Sequence, residues 1–163
     1  MAKSKSAGSA TGSTEVIDAL IDAYNMEVET VMNYIANSVD LDGALAAPVK
    51  AALAADIPAE LGHAQLVAKR IKTIGGRVPG SLSLHWGQQS LQPPAKTTDL
   101  LAVVQGVIDA EEAAIAGYER IIKLCEGVDF ATQDLAIELL SDEQEHLREF
   151  LGFQKELEAL LKR

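Results

Sequence analysis

At 163 residues, with a formal charge of −10 and a pI near 4.7, the chain is long enough for a hydrophobic core, and its surface should repel nucleic acid and anionic membrane while attracting cations. Cys125 is the only cysteine, which excludes an internal disulfide, a Cys-x-x-Cys redox pair and a rubredoxin-type iron site, and fits a reducing, cytoplasmic setting. No apolar run reaches the ~18 residues of a membrane helix, no signal-peptide segment opens the chain, and 48% hydrophobic content with only 4% aromatics suits close-packed helices better than sheets.

Residues 1–13, "MAKSKSAGSATGS", are small, polar and weakly basic and read as a disordered tail. Four helices are predicted in the remainder, 14–163. The first runs from about Thr14 to Leu41, with Ser13 or Thr14 as its cap and Gly43 beyond its end. The second starts near Ala46, carries Pro48 in its first turn and ends at Gly75-Gly76. Pro58 sits inside it and predicts a kink or a break just before Glu60, in a turn that Gly62 weakens further. The third follows Pro93-Pro94, with Thr97 or Thr98 as cap, and stops at Gly127; Asp129 opens the fourth. Short loops join the first helix to the second and the third to the fourth, which makes each of these two pairs an antiparallel hairpin. The irregular stretch at about 77–96 then has one explanation: an all-α four-helix bundle with a single long crossover between the second and third helices, running the length of the bundle.

On the first helix Ile17, Leu20, Ile21, Tyr24, Val28, Val31 and Ile35 form the predicted core stripe, and Asp18, Asp22, Asn25, Glu29, Asn33, Asn37 and Asp40 form a solvated face. Glu27 falls inside the stripe, with Tyr34 two turns on. The third helix repeats this: Glu111 and Tyr118 lie within a stripe of Leu100, Val104, Val107, Ile108, Ile115, Ile122 and Cys125, while Glu112 points out. Glu60 and His63 interrupt the apolar stripe of the second helix, and Glu143 and His146 that of the fourth. Each half of the chain therefore reads Glu-x6-Tyr on one helix and Glu-x-x-His on the next, with the leading glutamates 33 residues apart in one half and 32 in the other.

Four carboxylates and two imidazoles on core faces are very costly unless paired. Two divalent cations resolve this, because four negative charges meet four positive ones, and oxygen-rich ligation with one imidazole per metal suits iron or manganese. One glutamate from each of two helices plus Glu-x-x-His from each of the others is the ligand pattern of ferritin-like di-iron bundles.

The chain accordingly resembles the ferritin-like superfamily over everything after the tail. Within it, "ELGHAQLVAKRI" and "SDEQEHLREFLGFQKEL" are similar to the bacterioferritin-related, Dps-like ferritins. That resemblance implies a ferroxidase centre with two iron ions per chain (manganese being the alternative), where Fe(II) is oxidised by O2 or H2O2 and ferric iron is stored in a homo-oligomeric shell. Glu27 and Glu111 would be terminal ligands, Glu60 and Glu143 would bridge, His63 and His146 would each bind one metal, and Tyr34 and Tyr118 would support the ligands. Bacterioferritin holds haem through a methionine in its Glu-x-x-His region; Leu61-Gly62 stand there in this chain, so no haem is expected. A lone Cys125 cannot supply the cysteine pair of some Dps-like ferritins. No fifth helix follows the fourth, which favours a dodecamer. Lys3 and Lys5 neutralise too few phosphates to anchor DNA ahead of an acidic body. His85 and Trp86 are expected to pack the crossover. Two rival classes use the same residues differently: a non-storing di-metal redox enzyme, and a metal-free scaffold bundle.

Overall fold

Two helical hairpins make up the computed structural model, which describes the backbone of residues 9–162 and the side chains from residue 14 onward. Helix α1 (Ser9–Asp40) pairs with α2 (Ala46–Thr73), and α3 (Leu100–Cys125) with α4 (Phe130–Leu161); the crossover carries one short 3-10 turn at Ser81–Ser83. The hairpins meet mainly through α1 and α3, and α2 touches α4 only sparsely. Among the described residues no helix is long and apolar enough to cross a membrane.

Helix α1 starts at Ser9 rather than at Thr14, because extending a helix whose later turns are packed costs far less than nucleating one. The rest of the expected tail, including Lys3 and Lys5, lies outside the described residues. Helix α2 runs without a break through Pro58. Ala54, whose carbonyl loses its partner there, and Pro58 itself are both exposed, so water is available to the freed oxygen. The cap of α3 is Asp99, whose side chain accepts from the Ala102 N–H at 3.2 Å, not Thr97 or Thr98. Asp129 caps α4 as expected, accepting from the Thr132 N–H at 3.1 Å. Arg70, in the last turn of α2, donates to Asp129 at 2.7 Å and to the Thr132 hydroxyl at 2.6 Å, tying the end of one helix to the start of another.

The predicted polar face of α1 is the largest correction. Glu29, Asn33 and Asn37 are buried, because the crossover lies along them and uses them as its anchors. Glu29 accepts from the backbone N–H groups of Gly87 and Gln88 at 2.8 and 2.9 Å. Asn25 exchanges hydrogen bonds with the backbone of His85, and the Asn37 amide donates to the Leu91 carbonyl at 2.8 Å. Irregular backbone has no ladder of its own, so side chains must satisfy it. The buried side of α1 is therefore the one that carries Glu29, Asn33 and Asn37, and Ile35, assigned to the core stripe, is 47% exposed instead. The crossover holds His85 by its backbone and leaves Trp86 half exposed beside a groove of about 540 Å³.

Leu91 inserts into the core, and beneath it α3 carries Gly106. A Cβ there would lie 2.3 Å from the Ser90 carbonyl oxygen and 2.9 Å from the Leu91 Cα, so only glycine admits the crossover this close. Gly106→Ala should therefore lower the unfolding free energy by about 1–3 kcal/mol through overpacking, measured by chemical denaturation. An unchanged midpoint and slope would mean the crossover does not seat on α3 as described.

Candidate metal centre

The core is not continuous. One apolar cluster gathers Leu53, Val104, Val107, Leu91 and Phe150; a second gathers Leu20, Ala23, Val67, Ile121 and Leu139. On every helix the gap between them falls at the predicted polar residues. Glu27, Glu60, His63, Glu111 and Glu143 are all buried, and His146 is nearly so. All six named residues thus come together in the middle of the bundle, each helix supplying its share.

Two overlapping groups result. Donor atoms of Glu27, Glu60, His63 and Glu143 lie within 4.8 Å of one another, as do those of Glu60, Glu111, Glu143 and His146. Glu60 and Glu143 belong to both. His63 Nδ1 is 3.0 Å from Glu143 and 3.8 Å from Glu27. His146 Nδ1 is 2.9 Å from Glu60 and 3.4 Å from Glu143, and the two imidazole rings stack 6.1 Å apart. The Tyr34 hydroxyl donates to Glu111, and that of Tyr118 donates to Glu27, so each tyrosine steadies the glutamate of the other half-repeat.

The electrostatics are those of acids forced together. Burial and the neighbouring Glu143 push Glu27 up to about 7. Burial, then Glu143 and Glu27, hold Glu60 well above the carboxylate range; burial, then Glu60 and Glu143, do the same to Glu111. Glu143 goes the other way, to about 2, because the close His146, His63 and Glu111 side chains outweigh its burial. His146 rises to about 9 against its own burial, chiefly through the Glu143 carboxylate beside it, 3.4 Å away.

A cation fits what is left over. Glu60 Oε1 and His146 Nδ1 lie 2.9 Å apart, yet neither has a hydrogen-bond partner, and the buried Glu143 Oε2 lacks one as well. Three buried donor atoms converge without satisfying each other, which is costly for the metal-free chain. The donor set, four carboxylates and two imidazoles with no thiolate, is that preferred by iron or manganese.

Sequence reasoning passed over two acids at the edge of this cluster. Asp142 is 55% exposed but reaches His63 Nε2 at 3.3 Å. Asp56 lies one turn before Glu60, and its Oδ2 is buried without a partner. Adjacency to Glu143 is the signal for Asp142; for Asp56 it is a lone acid at helical spacing in an alanine-rich run.

The chain has relatives among known proteins. The family described as Ferritin-like domain matches residues 17–160. A bacterioferritin of Desulfovibrio desulfuricans is 31% identical over 141 residues, covering 82% of this chain and 70% of that protein. Among solved structures, the chain is similar to the bacterioferritin-related dodecameric thioferritin of Bacteroides fragilis, with a TM-score of 0.79 at 23% identity over 92% of this chain and 90% of that one. The D. desulfuricans bacterioferritin structure gives a TM-score of 0.78 at 23% identity, covering 92% and 84% of the two chains. A ferritin-like, diiron-carboxylate protein of Bacillus anthracis gives 0.78 at 20% identity, covering 88% and 97%.

A pH dependence follows from Glu27. Its folded pKa of about 7 exceeds the ordinary 4.5, so its contribution favours folding below pH 4.5 and is lost as pH rises toward 7. The raised His146 adds a loss in the same direction as pH climbs toward 9. The metal-free chain should show a falling Tm between pH 4.5 and 7, and Glu27→Gln should flatten that slope. Parallel curves for the two proteins would contradict the assignment of this carboxyl.

Proposed function

Because the chain belongs to the ferritin-like family, we propose that it is a di-iron ferroxidase: it takes up Fe(II), oxidises it with O2 or H2O2, and stores the ferric product in a homo-oligomeric shell within the cytoplasm. The observation that carries this reading is the pair of four-donor groups sharing Glu60 and Glu143 in an otherwise apolar core. Glu27, Glu60, His63 and Glu143 would hold one Fe(II), and Glu60, Glu111, Glu143 and His146 the other. Two Fe(II) surrender two electrons, which with two protons reduce O2 to H2O2, or H2O2 to two waters.

The chain's own residues prepare that exchange. Four carboxylates balance two divalent cations, so binding must displace the protons that burial keeps on Glu27, Glu60 and Glu111 in the metal-free state. Tyr118 and Tyr34 hold Glu27 and Glu111 through their hydroxyls and limit the rotamers open to each carboxylate. The apolar clusters on either side keep bulk water from the centre and strengthen each charge interaction within it. A twelve-subunit shell is the assembly proposed, after the dodecameric B. fragilis relative. The orphaned donor atoms count against a metal-free scaffold.

Aerobic Fe(II) titration of the purified chain tests this. Iron should be oxidised and kept soluble far beyond two equivalents per chain, and Glu27→Ala combined with Glu111→Ala should slow oxidation by more than about 100-fold with helical circular dichroism retained. Uptake that stops near two equivalents would contradict storage and favour a non-storing redox enzyme. Oxidation at the parent rate in the double variant would overturn the centre.

A further inference from the structure

The two Glu-x-x-His pairs are related by the internal repeat, but their outer surroundings are not. On α4 the residue immediately before Glu143 is Asp142, and its carboxylate lies 3.3 Å from His63 Nε2. The ring nitrogen that faces away from the cluster thus has an acidic partner, while Nδ1 faces Glu143 at 3.0 Å. The corresponding position on α2, immediately before Glu60, is Ala59, which offers no such group.

Asp56 stands three residues earlier. Residues three apart on a helix share a face and differ by about 4.5 Å along the axis, within the reach of a carboxylate that approaches from the next turn. Asp56 is partly buried, and its Oδ2 has neither solvent nor a hydrogen-bond partner. Burial raises its pKa and Glu149 and Glu143 add to the rise, while His146 is the neighbour that opposes it. His146 turns Nδ1 toward Glu60 and Glu143, which leaves Nε2 on the far side of the ring. A buried carboxylate oxygen without a partner thus lies one turn before Glu60, within the electrostatic reach of His146.

We propose that Asp56 is the positioning residue for His146, holding through one water the ring nitrogen that faces away from the cluster, the part that Asp142 plays directly for His63. An imidazole that donates its far N–H to a carboxylate is fixed in orientation and tautomer and becomes a more basic ligand. The repeat is then functionally symmetric although the sequence is not: one half draws its carboxylate from the residue before the ligand glutamate, the other from one turn before it. This rests on the six-residue centre proposed above but not on iron storage.

Co(II) is the probe, because each ligated imidazole of the loaded chain shows a shifted, exchangeable ring N–H proton in NMR spectra. Asp56→Asn keeps the side-chain shape and removes the charge. It should speed solvent exchange of the His146 ring proton, leave that of His63 unchanged, and weaken one of two Co(II) sites by about 10–100-fold. Asp142→Asn should do the reverse, moving His63 alone. Asp56→Asn combined with Ala59→Asp should restore both readouts, which a merely structural role for Asp56 would not produce. If Asp56→Asn leaves the His146 proton and the Co(II) affinity as in the parent, or disturbs both histidines equally, the assignment is overturned. A parent chain that binds no Co(II) would overturn the centre and Asp56's role with it.

Discussion

Four glutamates and two histidines share one buried space, and the rest of the molecule is arranged around keeping them there. Removing an ionised carboxylate from water costs several kcal/mol even after relaxation, while a whole domain has roughly 5–15 kcal/mol of net stability. The bundle cannot hold four such charges unbalanced. Without metal, protons do the balancing: Glu27, Glu60 and Glu111 are pushed up, and Glu143 stays ionised between two imidazoles. With metal, two cations replace those protons. The same side chains therefore make the metal-free chain pH-sensitive and give the proposed centre the negative charge that two divalent cations would balance.

The two apolar clusters on either side supply the stability that the polar middle does not. Each draws on all four helices, so the glutamates and histidines are set by packing above and below them. The crossover closes the arrangement. Glu29, Asn25 and Asn37 grip its backbone, and Gly106 lets it lie against α3, which joins the two hairpins on the α1–α3 side. The sparse contact between α2 and α4 is on the side where the histidines and their outer acids stand.

The centre was legible in the sequence because inward-pointing charge is rare: Glu27 and Glu111 break apolar periodicity, and Glu60/His63 and Glu143/His146 do so in pairs at a spacing that puts both residues on one face. The same logic misread Glu29. A polar stripe looks identical whether it faces water or an irregular segment of the chain, and nothing local in residues 25–37 announces that residues 85–91 will lie on them. Ile35 is misplaced for the same reason, since the side of α1 under the crossover is the buried one. Pro58 suggested a break that surface exposure makes unnecessary. Thr97 and Thr98 were reasonable caps, but Asp99 lies closer to the helix and carries the better acceptor. Asp142 and Asp56 escaped notice because a charge at the edge of a cluster has the periodicity of a surface residue.

The most direct test is calorimetric titration of the metal-free chain with Fe(II) under strict exclusion of oxygen, repeated in two buffers of different ionisation enthalpy near pH 7. Charge balance requires two Fe(II) per chain, with net proton release on binding because the folded metal-free chain keeps protons on its central carboxyls. A chain that binds no Fe(II), or that binds it without releasing protons, would contradict the idea that cations take the place of protons in this core.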